Sequence, residues 1–254
     1  MLRFDTVVVS DLHLGARNSR TEDFLRFLDH LVVDRLVIAG DFFESPVLQG
    51  LRSHHLRVLE VLRQFARSSE LVWLRGNHDP DEAWCRDVLD LDSRDELVVS
   101  VGRRRYLVCH GHVWDRAMAL PGAIVNVADS IYHFAQWLDP SHRLARGLKR
   151  KTKFFCHVVD EMRREATAAA RRRNMDGVIV GHSHVASDEV FEDLHFLNCG
   201  CWTEQPTGFV GIRGNQVRQF AWNAPEVDSF DGEFTWGWHA DVPVLAGSGG
   251  GHFA

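Results

Sequence analysis

No apolar run in this chain approaches the roughly 20 residues that a helix needs to cross a bilayer. An export signal is not expected either, because the polar Asp11-Leu12-His13 interrupts the first apolar stretch too early. The five cysteines (Cys85, Cys109, Cys156, Cys199 and Cys201) are odd in number and have no framework spacing, which predicts reduced thiols in a cytoplasm. Cys199-Gly200-Cys201 lacks the second half of a zinc knuckle and reads as packing at a strand end. Excess positive charge is also missing: a net charge of -6 argues against bulk nucleic-acid binding, so no nucleic-acid partner is expected. No internal repeat is visible. What remains is an ordinary globular composition, 45% hydrophobic and 25% charged over 254 residues, enough for one large domain.

The informative feature is a recurrence. Apolar runs end repeatedly on metal-type residues. Phe4 to Ser10 runs into Asp11-Leu12-His13, and Arg35 to Ala39 into Gly40-Asp41. Leu71 to Leu74 leads, after Arg75, to Gly76-Asn77-His78-Asp79. Tyr106 to Cys109 leads to His110-Gly111-His112, and Gly177 to Val180 to Gly181-His182-Ser183-His184. In an open α/β sheet, functional groups collect beyond the carboxyl ends of the strands. One edge of one sheet should therefore gather carboxylates, an amide and several imidazoles. That donor set suits Mn, Fe, Zn or Ni better than Ca.

Helical patterns alternate with these runs. Phe24, Leu25, Phe27, Leu28 and Leu31 share a helical stripe over Thr21 to Leu31, with Thr21 as N-cap, and Leu56, Leu59, Leu62 and Phe65 share another over His54 to Phe65. Strand and helix alternating over short connections predict a parallel sheet with covering helices. After His112 comes a long helical excursion, with apolar stripes at Ile124 to Leu138 and at Phe154, Phe155, Val158, Val159 and Met162. From His142 to Lys153 it carries Arg143, Arg146, Lys149, Arg150, Lys151 and Lys153 with no acidic residue. Such a run is either a surface for anionic headgroups or a solvated helix face. Phe134, Trp137, Phe154 and Phe155 fit a core or a ligand pocket equally. Leu194 to Leu197, Gly208 to Ile212 and Gln216 to Trp222 predict a strand meander. The expected organisation is one domain over 1–245, with a helical insertion at about 115–175 and a flexible tail at 246–254.

Singly, each motif has a bland explanation. Gly-Asp is often only a helix N-cap, and Asn or Asp beside Gly commonly just makes a turn. Their joint occurrence in this order decides for metal. The ordered set Asp-x-His, Gly-Asp, Gly-Asn-His-Asp, His-Gly-His and Gly-His-x-His resembles the calcineurin-like metallophosphoesterases, from Asp11 to about Ile212.

That resemblance implies a four-layer α/β/β/α sandwich and a two-metal centre. One ion would be held by Asp11, His13, Asp41 and His184, the other by Asp41, Asn77, His110 and His182. Two cations about 3.5–4 Å apart neutralise phosphate oxygens and activate water for in-line displacement. In the family scheme His78 is not a ligand but acts on the phosphate or leaving oxygen, and Asp79 would orient His78. Arg17 is a candidate phosphate contact by proximity. His112 and Asp115 either touch substrate or support the ligands.

Within the superfamily, Val8 to Asp79, the helical insertion and Asn198-Cys199-Gly200-Cys201-Trp202 look like the UDP-2,3-diacylglucosamine diphosphatase group. That group splits a pyrophosphate to release UMP and an acylated sugar phosphate in lipid A assembly. Its best-known members carry Arg where this chain has His78 and Asp where it has His112. The likeness implies manganese first among metals, a nucleotide-linked lipid substrate, and a cytoplasmic protein with peripheral contact to an anionic membrane. The competing expectations are a soluble substrate (cyclic nucleotide, nucleic acid or phosphoprotein) and a non-enzymatic scaffold. Retention of every expected ligand position and of His78 argues against the scaffold.

Overall fold

The computed structural model describes residues 1–45, 51–90, 92–115 and 153–223. Two sheets carry the architecture. The first has six strands in the order β11-β10-β1-β2-β3-β4, and the second five in the order β5-β6-β7-β9-β8. In the first sheet, β1 (Leu2–Val9), β2 (Leu31–Ala39) and β3 (Glu70–Leu74) run parallel, with β4 (Ser93–Arg94) beside β3. The antiparallel hairpin β10 (Thr207–Arg213) and β11 (Gln216–Trp222) closes the other side of β1. In the second sheet, β6 (Arg104–Cys109), β7 (Gly177–Val180) and β9 (Leu194–Asn198) are parallel, flanked by antiparallel β5 (Glu96–Val101) and β8 (Ser187–Phe191).

The central parallel strands end in apolar runs without alternation because both faces are covered. Consecutive residues therefore serve different layers. Val7 and Val9 of β1 pack outward with Phe24, Phe27 and Leu28 of α1 (Thr21–Asp29) and Val58 and Leu62 of α2 (Ser53–Phe65). Val8 packs inward with Val37 and Val72, against Tyr106, Val108, Ile179 and Leu197 of the second sheet. The second sheet's other face meets Met162, Ala166 and Ala170 through Leu107, Val178 and Val180. Those three residues lie on the twenty-residue helix Lys153–Arg172. The result is helix, sheet, sheet, helix: the four-layer α/β/β/α sandwich.

Several sequence expectations change. The functional loops do not lie along one sheet: β1, β2 and β3 belong to one, β6 and β7 to the other, and an apolar layer separates them. Leu31 opens β2 and does not extend the helix, and Thr21 is the first helical residue after an Arg20 N-cap that makes no side-chain cap bond. The three late strands are not a meander, because β9 sits in the second sheet while β10 and β11 form a hairpin in the first. The first insertion stripe, the basic run before Lys153 and the tail lie outside the described residues.

Candidate metal centre

Every motif loop leaves the carboxyl end of a strand, and main-chain bonds stitch these loops together. Asp11 N donates to Gly40 O (3.1 Å) and His13 N to Asp41 O (3.0 Å) within the first sheet, and Gly181 N to His110 O (3.0 Å) within the second, joining neighbouring loops in each sheet. The approach is too close for side chains at the glycines. A Cβ on Gly40, whose φ is +86°, would lie 2.5 Å from His110 Cγ, and one on Gly76 would collide with the Asp41 carboxylate. The ligand-type residues carry backbone strain of their own: Asp11, His13, Asp41, His182 and His184 all adopt left-handed φ, between 49° and 63°. Such conformations cost about 1–3 kcal/mol each and persist where the surroundings enforce them.

Three groups of donors result, two of them central: Asp11 with His13 and His184, and Asp41 with His110 and His182, while His13 also groups with Glu44 and His78. Asp41 stands between the central two. Its Oδ2 lies 3.2 Å from His110 Nε2 and 3.8 Å from His13 Nε2, while its Oδ1 accepts from His78 N at 2.9 Å. Asp11 divides its oxygens likewise, Oδ2 accepting from His182 N at 2.9 Å and Oδ1 lying 3.1 Å from His184 Nε2.

Each imidazole is fixed by its other nitrogen. His110 Nδ1 must donate to the Ala39 carbonyl (2.9 Å), which leaves Nε2 as a lone-pair donor facing Asp41. His13 Nδ1 donates to Glu44 Oε2 (2.9 Å), leaving its Nε2 only 3.3 Å from His184 Nε2. His184 Nδ1 lies 3.5 Å from Thr203 Oγ1, and His182 Nε2 pairs with Asp115 Oδ2 at 2.9 Å.

These arrangements fit cations. Asn77 Oδ1 is buried without a hydrogen-bond partner, a cost of about 1–3 kcal/mol unless something else satisfies it, and Asp11 Oδ1 and His110 Nε2 are buried with only the ion-pair contacts to His184 and Asp41. Burial raises the Asp11 and Asp41 carboxyl pKa values, but the neighbouring imidazoles outweigh it and hold both below the ordinary carboxylate range, Asp41 at about 2. Burial likewise opposes a His13 cation, yet the Asp11 and Glu44 carboxylates lift its pKa to about 9. Metal ions would therefore have to displace protons from these rings, and loading should weaken as pH falls.

The structure corrects the role expected of Asp79. Its carboxylate is turned inward, Oδ1 accepting from Phe42 N and Phe43 N (2.9 and 3.1 Å) and Oδ2 from Gly76 N (2.9 Å). It ties the β2 loop to the β3 loop and does not orient His78. The His78 ring instead donates from Nδ1 to the Glu44 carbonyl at 2.8 Å. Asp115 is brought in against His182, and His112 lies beside His110 and His182 with its pKa pushed down to about 4 by burial and by those two rings. Arg17 is exposed. Cys201 does more than pack at a strand end, since its thiol accepts from Thr203 Oγ1 at 3.4 Å.

Glu44 is the residue sequence reasoning missed. Its carboxylate holds His13 and its carbonyl holds His78. Only its position three residues after Asp41 hinted at this. Replacing Glu44 with Ala should lower metal affinity by roughly 10–100-fold, the usual cost of losing a carboxylate behind a ligand imidazole. Titration of the metal-free variant with Mn²⁺ measures this, and wild-type affinity would show that His13 needs no such support.

Two β-sheets thus pool carboxylates, an amide and imidazoles at one end, a donor set that suits divalent metals. The sequence profile of the calcineurin-like phosphoesterase superfamily domain matches residues 4–212, and the chain belongs to that superfamily, whose members use divalent metals. It is a metal-dependent phosphoesterase. Among solved structures it is similar to a phosphoesterase of E. coli, YfcE, at 18% identity and a TM-score of 0.47, covering 86% of this chain and 99% of that one. It is also similar to an archaeal phosphodiesterase (14% identity, TM-score 0.45, 85% and 99% covered). A third likeness is Vps29 of Entamoeba histolytica in complex with zinc (15% identity, TM-score 0.45, 86% and 99% covered). No curated protein matches the sequence.

Proposed function

We propose that the chain hydrolyses a phosphate ester or pyrophosphate at a two-metal centre. One ion would be held by Asp11, His13, Asp41 and His184, the other by Asp41, Asn77, His110 and His182. The observation that carries this reading is Asp41 Oδ2, which faces one imidazole of each group, while the buried Asn77 Oδ1 lacks a hydrogen-bond partner. When bound, two divalent cations neutralise the phosphate oxygens and make water a competent nucleophile. The protein's own part is to hold the donors rigid and to manage protons. His78 presents the ring nitrogen not engaged with Glu44 and serves as donor to the developing charge or the leaving oxygen.

For the substrate we infer a nucleotide-linked lipid pyrophosphate of the UDP-2,3-diacylglucosamine kind, with manganese as the metal and an anionic membrane as a peripheral contact. This rests on the sequence likeness and on the basic run ending at Lys153. Among the described residues no helix is long and apolar enough to cross a membrane. The second reading is a soluble phosphodiester or phosphomonoester.

A panel with purified protein and Mn²⁺ separates them. UDP-diacylglucosamine should be turned over with higher kcat/KM than bis-p-nitrophenyl phosphate or cyclic nucleotides. Chelation should abolish all turnover, and adding back Mn²⁺, Fe²⁺, Zn²⁺ or Ni²⁺ in turn should identify the preferred ion. Preference for a cyclic nucleotide would overturn the lipid reading, and turnover that survives chelation would overturn the metal one.

A further inference from the structure

We propose that Asp115, seated through Trp114 on the long helix Lys153–Arg172, is a positioning residue that turns His182 to offer Nδ1, and not Nε2, to a metal ion. The inference rests on the two-metal reading. It adds a route by which packing outside the donor groups governs one ion and not the other.

The His182 main chain is clamped before its ring is aimed. Its φ is +63°, and its N donates to Asp11 Oδ2 at 2.9 Å. The ring is then set by the 2.9 Å bond from Nε2 to Asp115 Oδ2, which commits the proton to Nε2 and leaves the lone pair on Nδ1. A lone pair on Nε2 would instead face the carboxylate oxygen with no proton between them. Among the described residues, His182 converges with Asp41 and His110 closely enough to share a cation, but the Asp115 carboxylate does not join that group. Asp115 therefore stands behind the ring and is not a further ligand. His110 is held the opposite way, with Nδ1 on the Ala39 carbonyl and Nε2 toward Asp41. One ion would thus take Nε2 from one ring and Nδ1 from the other.

What holds Asp115 in place is packing. Gly111, at a φ of +102°, opens a short 3-10 turn over His112–Trp114. Within it Trp114 N donates to Gly111 O (3.1 Å) and Asp115 N to His112 O (3.0 Å). The Trp114 side chain packs against the apolar cluster that contains Met162, Ala166 and Val180. Met162 and Ala166 belong to the long helix, and Val180 ends the strand that leads into His182. Helix, Trp114, Asp115 and His182 thus form one chain of contacts. The other donor group has a separate support, Glu44 on His13 at 2.9 Å. Disturbing Trp114 or Asp115 should therefore reach one ion alone.

Stepwise calorimetric titration of the metal-free protein with Zn²⁺, a diamagnetic ion, tests this alongside the imidazole nitrogen chemical shifts of the loaded protein. The shifts should show the His182 proton on Nε2 and the metal on Nδ1. Asp115→Ala should weaken one binding step by roughly 10–100-fold and leave the other as in wild type. Asp115→Asn keeps an oxygen that can accept from Nε2 and should recover most of that loss. Trp114→Ala, checked for a native thermal transition, should weaken the same step severalfold. In a His182→Ala background, Asp115→Ala should cost almost nothing more, because its effect passes through that ring. Metal on Nε2, equal weakening of both steps, or an undiminished loss in the His182→Ala background overturns the proposal. A single ion in wild type, carried on His182 Nδ1 and weakened by Asp115→Ala, would overturn the two-metal reading and sustain the role of Asp115.

Discussion

Replacing Asp41 with Asn should remove at least one metal ion per chain and depress hydrolysis beyond the roughly 10²–10⁴-fold typical of losing one acid–base group. In the proposed centre the carboxylate is the element both metal sites would share. Its Oδ2 lies within 3.8 Å of His13 Nε2 and 3.2 Å of His110 Nε2. An amide in its place keeps the volume and the oxygen that accepts from His78 N, but it removes the negative charge both cations need. Stability gives a second readout. A ligand that binds only the folded state stabilises it by about 2.7 kcal/mol at a hundred times its Kd, so Mn²⁺ should raise the melting temperature of wild type far more than that of the variant. Elemental analysis reporting two ions in Asp41→Asn would mean that Asp41 is terminal and that another group bridges.

Much of this centre was legible because burial on both faces turns the parallel strands into unbroken apolar runs, and a polar residue ending such a run stands out. Alternation of apolar and polar residues is absent from Val7-Val8-Val9 for the same reason: Val7 and Val9 serve the α1–α2 side and Val8 the layer between the sheets. Strands lacking that character went unread. β8, Ser187–Phe191, is an edge strand rich in polar residues whose Val190 is 73% exposed, and β5 borders the opposite edge. Partition into two sheets was equally hidden, since periodicity states which faces are covered but not which strands are neighbours. Support for the imidazoles lies further out of reach. Glu44 meets His13 across 31 positions and Asp115 meets His182 across 67, pairings that no local pattern encodes. Asp79 shows the reverse case. An Asp next to a catalytic-type His invites a pairing, but burial forces its carboxylate onto the main-chain amides of Phe42, Phe43 and Gly76, donors that must be satisfied once water is excluded.

His78→Ala should lower kcat by roughly 10²–10⁴-fold and leave metal content at the wild-type level. His78 is placed by its main chain on Asp41 Oδ1 and by its ring on the Glu44 carbonyl, so removing the imidazole breaks no hydrogen bond to Asp11, Asn77, His110, His182 or His184. The His78 ring lies 5.1 Å, centroid to centroid, from that of His13, close enough to meet a phosphate oxygen beside the first donor group. With Nδ1 committed to a carbonyl, its other nitrogen is the one that can give or take a proton. The loss should therefore be smaller for esters with good leaving groups, such as p-nitrophenyl, than for alkyl esters, because an oxygen that departs readily as an anion needs less protonation. Equal losses on both would assign His78 to charge stabilisation on the non-leaving oxygens. Loss of an ion in the variant would have a different meaning. His13, Glu44 and His78 also converge closely enough to hold a cation, and such a result would move one metal into that group and make His78 a ligand.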